Sequence, residues 1–208
     1  MILYPVARGT DGGLVHIKDW RAGDHVTCFG CDRALIGRGP SGKIKRRRSP
    51  ERHFAHKTED SCNGETALHA ATKVAIVRAH ALGLLGFWWR CPSCRSRRCI
   101  GIADLILAIE DQPCEGVRSD VLARDQAGVP RLAIEVVVTH DLEALTIKRY
   151  RDCGVRVLVL RPTWWTLTEL ETAQEIWADG QHATAVDCDH CERLEIEDLN
   201  AMDMRRIL

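Results

Sequence analysis

The 208-residue chain has no excess charge of either sign: 29 Lys+Arg stand against 29 Asp+Glu. That balance excludes a uniformly basic nucleic-acid coat but not a local basic stripe. Long apolar runs are also missing. The best stretch, residues 74–89, is broken by Arg78 and His80, and residues 101–109 contain Asp104, so no membrane span is expected. Residues 1–7 are apolar but lack the basic start and long apolar run of a secretory leader. Ten cysteines are too few for a disulfide scaffold of this length. Internal repeats and low-complexity tracts are absent as well. The expectation from these absences is a cytoplasmic protein whose thiols stay reduced. Hydrophobic residues make up 45% of the chain, which argues against wholesale disorder.

Reduced, closely spaced cysteines point to metal, and nine histidines reinforce that. Two groups stand out. The first is Cys28-x2-Cys31, then His53-x2-His56, then Cys62. A CxxC pair grips Zn²⁺ in a tight turn, and two further ligands close a tetrahedron. The intervening segment is poor in apolar residues, so metal binding would supply its folding free energy. The favoured ligands are Cys28, Cys31, His56 and Cys62, with His53 as the substitute for His56. The second group is Cys91-x2-Cys94 with the distant Cys188-x2-Cys191, or with Cys99 as third ligand. Two CxxC pairs make a four-cysteine zinc site and would staple the tail to the segment 91–99. Cys114 and Cys153 are expected as small buried thiols.

Short strands are expected in residues 1–19, around the turn cluster 9–13. Asn63 can cap a helix running from Gly64 to about Leu85, with Ala67, Ala70, Val74, Val77, Ala81 and Leu85 facing a core. Strands follow over 101–109, 117–124, 131–139 and 155–160. Asp141 is placed to cap a helix through Arg151, ended by Cys153-Gly154, and residues 164–177 look helical. The order predicts a mixed α/β sheet with a hairpin in its middle.

Glu65, His69 and Lys73 recur every four residues and fall within an arc of about 80° on one helix face. Alone, such a stripe reads as a solvated ladder. Asp120 and Glu135 add weight. Glu135 interrupts the apolar run 132–138, where a charge needs a partner. A hairpin would set it beside Asp120. Two adjacent carboxylates repel, and oxygen ligands select Mg²⁺ or Mn²⁺ to resolve that repulsion. Such an ion can activate water against a phosphodiester. The bland alternative is a salt bridge from Glu135 to Arg118, Arg131 or Lys148.

Asp120-x14-Glu135-x-Val137, on a hairpin followed by a helix, resembles the PD-(D/E)XK nuclease core. Cys28-x2-Cys31, His53-Phe54-Ala55-His56, Cys62 and Glu65-Thr66-x2-His69-x3-Lys73 are similar to competence-protein CoiA-like nucleases, as is Ile134-Glu135-Val136-Val137-Val138-Thr139-His140 with Lys148 following. The resemblance covers roughly residues 28–160. It implies an α/β, restriction-endonuclease-like mixed sheet core with an N-terminal zinc-binding knot and a second cysteine-rich insertion. It also implies metal-dependent DNA cleavage; Asp120 and Glu135 would then bind the Mg²⁺ or Mn²⁺ and Glu65 would complete the metal or water shell. The corresponding regions are 1–62 (strands and zinc-binding region), 63–163 (nuclease-like core, with a zinc knot at 91–99) and 164–208 (C-terminal helix and tail).

Val137 stands where the motif has Lys or Gln. Lys148 or Lys73 would then have to bring the missing cation from another element. Without it, the chain would bind DNA without cutting it. The run Lys43-Ile44-Lys45-Arg46-Arg47-Arg48 carries five positive charges in six residues and suits phosphate contact. Arg95, Arg97 and Arg98 form a second basic group. Trp88-Trp89 and Trp164-Trp165 could stack on bases, but they adjoin apolar stretches and are expected in the core.

Overall fold

The computed structural model describes residues 4–39, 52–57, 62, 64–90, 97–113, 116–164, 167, 175–178 and 183–185. The chain forms two compact units. One comprises Met1–Gly83, Val138–His140 and Pro162–Ala173, and the other Leu84–Val137, Asp141–Arg161 and Gln174–Leu208.

In the first unit, β1 (Val6–Arg8) and β2 (Leu14–His16) form an antiparallel hairpin over the expected turn. Gly12 supplies the positive φ that turn needs (80°). β3 (Leu35–Arg38) pairs with β4 (His53–His56), Leu35 opposite His56. Tyr4 exchanges backbone hydrogen bonds with Phe54, at 3.1 and 2.7 Å, and so ties the chain start to β4. Helix α1 (Gly64–Ala81) follows. It stops before Leu85, at Gly83 with φ 108°.

Two expectations are corrected here. The segment 28–62 is not devoid of core: Cys28, Leu35 and Phe54 are buried with Tyr4, Ala7, Ile17, Val26 and Ala67. The buried face of α1 is also rotated from the expected one. Ala67, Leu68, Ala71, Thr72, Ala75, Ile76 and Ala79 are buried, whereas Val74 and Val77 are half-buried and Ala81 and Leu85 exposed. Thr72 fits the buried face because its hydroxyl donates to the Leu68 carbonyl at 2.8 Å.

In the second unit, β5 (Gly86–Arg90) and β6 (Arg97–Gly101) are antiparallel. A turn closed by Leu105 N–H on the Ile102 carbonyl, 3.0 Å, separates β6 from β7 (Ile106–Ile109), so the single strand expected over 101–109 is divided. β8 (Val121–Arg124), β9 (Pro130–Val136), α2 (Ala144–Asp152) and β10 (Arg156–Leu160) come next. β7, β8 and β9 form an antiparallel meander, and α2 carries the chain across to β10, parallel to β9. Gly154, at φ 69°, follows the end of α2.

β11 (Glu175–Ala178) and β12 (Ala183–Ala185) complete two sheets of order β11-β5-β6 and β12-β10-β9-β8-β7. The helix expected over 164–177 is therefore corrected at its end: residues 175–178 pair parallel with β5, Glu175 opposite Gly86. Ile176 and Trp177 are residues that suit a pleated strand. Asp141 does not cap α2. It pairs with Arg161, and Glu143 occupies the N-cap without a side-chain hydrogen bond. α1 groups with the N-terminal strands, whereas the sequence reading places it in region 63–163. No helix among the described residues is long and apolar enough to cross a membrane.

Candidate metal centre and carboxylate cluster

Cys28 and Cys31 flank a turn in which Cys28 N–H donates to the Arg33 carbonyl and Asp32 N–H to the Cys28 carbonyl, both 2.9 Å. Asp32 takes the left-handed conformation this turn requires, φ 56°. Gly30, inside the CxxC, lies so near α1 that a Cβ there would meet Ala67 N at 3.0 Å and its Cα at 3.2 Å. The lack of a side chain at Gly30 thus lets the turn seat on the first turns of α1, just after Cys62. His56 ends β4 and is held by its register with Leu35.

The ligand atoms of Cys28, Cys31, His56 and Cys62 all lie within 4.8 Å of one another. Cys28 Sγ is 3.5 Å from Cys62 Sγ, and Cys31 Sγ is 3.9 Å from His56 Nε2. Zinc–sulfur bonds of ~2.3 Å set a tetrahedral edge of about 3.8 Å. The spacing therefore fits, and this Cys3His cluster could hold a metal ion such as zinc. His53, the alternative ligand, is buried and outside the cluster. It sits three residues before His56 on a strand, hence on the opposite face.

Burial pushes the Cys28 thiol up to about 12, although Gly30 N–H on its sulfur, at 3.4 Å, works the other way. For Cys31 burial is outweighed by hydrogen bonds from the Arg33 backbone and side chain, and its thiol is lowered. A metal ion must displace protons from both, so affinity falls as pH falls.

In the second unit, Val121 pairs with Ile134, which sets Asp120 opposite Glu135 one step further along. Asp120 Oδ2 accepts from Val136 N–H at 2.9 Å. Glu135 is only 8% exposed. The three basic residues weighed as its partner are engaged elsewhere: Arg118 with Glu110 (2.6 Å), Arg131 with Asp125 (2.7 Å) and Lys148 with Asp152 (2.8 Å). The buried Tyr150 hydroxyl donates to Glu135 Oε1. Burial first, then this bond and the charges of Glu135 and Asp120, drive the Tyr150 hydroxyl well above its ordinary value, so it stays protonated and remains a donor.

Lys148 is exposed on α2, about 200° around the helix from Tyr150. Val137 is buried with Leu122, Ala133, Tyr150 and Val155, so the motif position beside Glu135 is apolar. Glu65, His69 and Lys73 lie on α1, in the other unit. Lys73 is 7% exposed and His69 half-buried, and the side chain of Glu65 is outside the described residues. Cys91, Cys94, Cys188, Cys191, Cys114 and the basic run Lys43, Lys45, Arg46, Arg47 and Arg48 also fall outside them.

Cys99 lies in β6 opposite Trp88. Cys153, expected as a thiol, is disulfide-bonded. Trp164 meets Tyr4 edge-on at 5.7 Å, in keeping with a packing role. Tyr4 and Tyr150 are the site residues that sequence reasoning missed. Only the helical offset from Lys148 could have pointed to Tyr150. No protein-family model, curated protein or solved structure matches the chain.

Proposed function

We propose that the chain is a Mg²⁺- or Mn²⁺-dependent DNA nuclease in which a zinc-bound Cys3His turn is structural. One observation carries this reading. A nearly buried Glu135 sits across the strand pair from Asp120, and a protonated tyrosine orients it. Two carboxylates so placed favour a divalent cation with oxygen preference. Asp120 and Glu135 would hold the ion, which would supply an activated water and charge stabilisation at the phosphodiester. Tyr150 fixes the direction of one Glu135 oxygen. The meander followed by α2 and a parallel β10 agrees with the hairpin-then-helix arrangement that the PD-(D/E)XK resemblance implies.

The Cys3His cluster has four protein ligands and so no open position for substrate, which is why it is given a structural role. The test is cleavage of single- and double-stranded DNA in Mg²⁺ or Mn²⁺ against a chelated control. Metal-dependent cleavage supports the proposal, and absence of cleavage of every substrate with either ion overturns it. Buried Val137 favours a second reading, a DNA-binding module without catalysis. That reading predicts salt-sensitive binding that survives Asp120→Ala and Glu135→Ala.

A further inference from the structure

Tyr4 lies in the first unit, and its relation to the metal centre goes beyond the four ligands. Its side chain is 2% exposed. Its hydroxyl is buried yet has no hydrogen-bond partner among the described residues. Such an orphan is costly. The ring packs edge-on against His56 at 5.8 Å, with an interplanar angle of 89°. Cys31 and Cys62 pack against the same core cluster that contains Tyr4 and Cys28. Of the cluster sulfurs, the hydroxyl is set against Cys62 first, and then Cys28 and Cys31. The backbone bonds to Phe54 hold it there, two residues before His56.

A neutral thiol is a poor acceptor. Metal loading converts the thiols to thiolates, which are far better acceptors. Three thiolates and a neutral imidazole on a divalent ion leave one net negative charge in a largely buried pocket. A neighbouring donor offsets part of it.

We propose that Tyr4 is a positioning residue of the metal centre, its hydroxyl donating to the Cys62 thiolate once the metal is bound. The proposal rests on the metal-centre reading above. Outer-shell donors of this kind typically change metal affinity 10- to 100-fold.

The test uses the full chain loaded with Zn²⁺, Co²⁺ or ¹¹³Cd²⁺. Tyr4→Phe is expected to weaken Zn²⁺ binding about 10-fold in chelator competition. The sulfur-to-cobalt charge-transfer band should move to lower energy, because the Cys62 lone pair loses its donor. In ¹¹³Cd-loaded wild type, the Tyr4 hydroxyl proton should show scalar coupling to the metal through the sulfur. The chain has only two tyrosines, so assignment is direct. An unchanged affinity and band, or an uncoupled hydroxyl, overturns the proposal. If Tyr4→Phe fails to fold, the cadmium coupling in wild type decides alone. Failure of wild type to bind any of the three metals would instead sink the metal-centre reading.

Discussion

A tyrosine hydroxyl hydrogen-bonded to a carboxylate inside an apolar sheet face has one tenable protonation pattern: the tyrosine keeps its proton and the carboxylate accepts it. Tyr150 thereby fixes Glu135 while Val136 N–H fixes Asp120. Removing that donor leaves a nearly buried oxygen short of a bond. Tyr150→Phe is predicted to lower stability by about 1–3 kcal/mol in chemical denaturation, with no loss of bound zinc. Glu135 was legible because a charge within the run 132–138 demands an explanation. Tyr150 was not. Its partner lies fifteen residues back in the chain, and nothing in the local pattern separates it from Lys148, two residues earlier. His56 over His53 was decided only by which face of β4 each occupies.

Elements were legible where turn chemistry or periodicity was strong, as in the hairpin at 9–13 and the strand β10. They were not legible where tertiary pairing overrode local preference, as in β11 and in the inner face of α1. The β8–β9 hairpin is the element on which the carboxylates depend. Its turn is organised by Asp125, whose Oδ1 accepts from Ala127 N–H at 3.0 Å and Val129 N–H at 2.9 Å, while Oδ2 meets Arg131. The Val129 N–H first, then Arg131, hold this carboxyl below the usual carboxylate range. A depressed folded value stabilises the fold above the unfolded pKa and is lost as pH falls through the folded one. Asp125→Ala should therefore lower Tm at pH 7, and its deficit against wild type should shrink below about pH 4. A pH-independent deficit would show that the ionised carboxylate is not responsible.

Across the whole molecule, two kinds of side-chain cluster stand in different units: sulfur and imidazole that could hold a metal ion in one, a carboxylate pair in the other. The mixed α/β order was readable because each element carries its own signal. The division into units was not, because it depends on which long-range contacts form. The zero net charge has lost its weight, since opposite charges can sit in different places. The expectation of reduced thiols does not extend to Cys153.

If zinc folds the first unit, chelation should raise amide exchange over residues 4–39, 52–57 and α1 while β8, β9 and β10 stay protected. Uniform exchange throughout would show that the metal does not act locally. The central claim is that the carboxylate pair, and not the cysteine centre, performs chemistry. It is tested most directly by measuring zinc per chain and Mg²⁺-dependent DNA cleavage in the same Glu135→Ala preparation. The account predicts wild-type zinc content with cleavage reduced by at least about a hundredfold. Wild-type cleavage by that variant would contradict it.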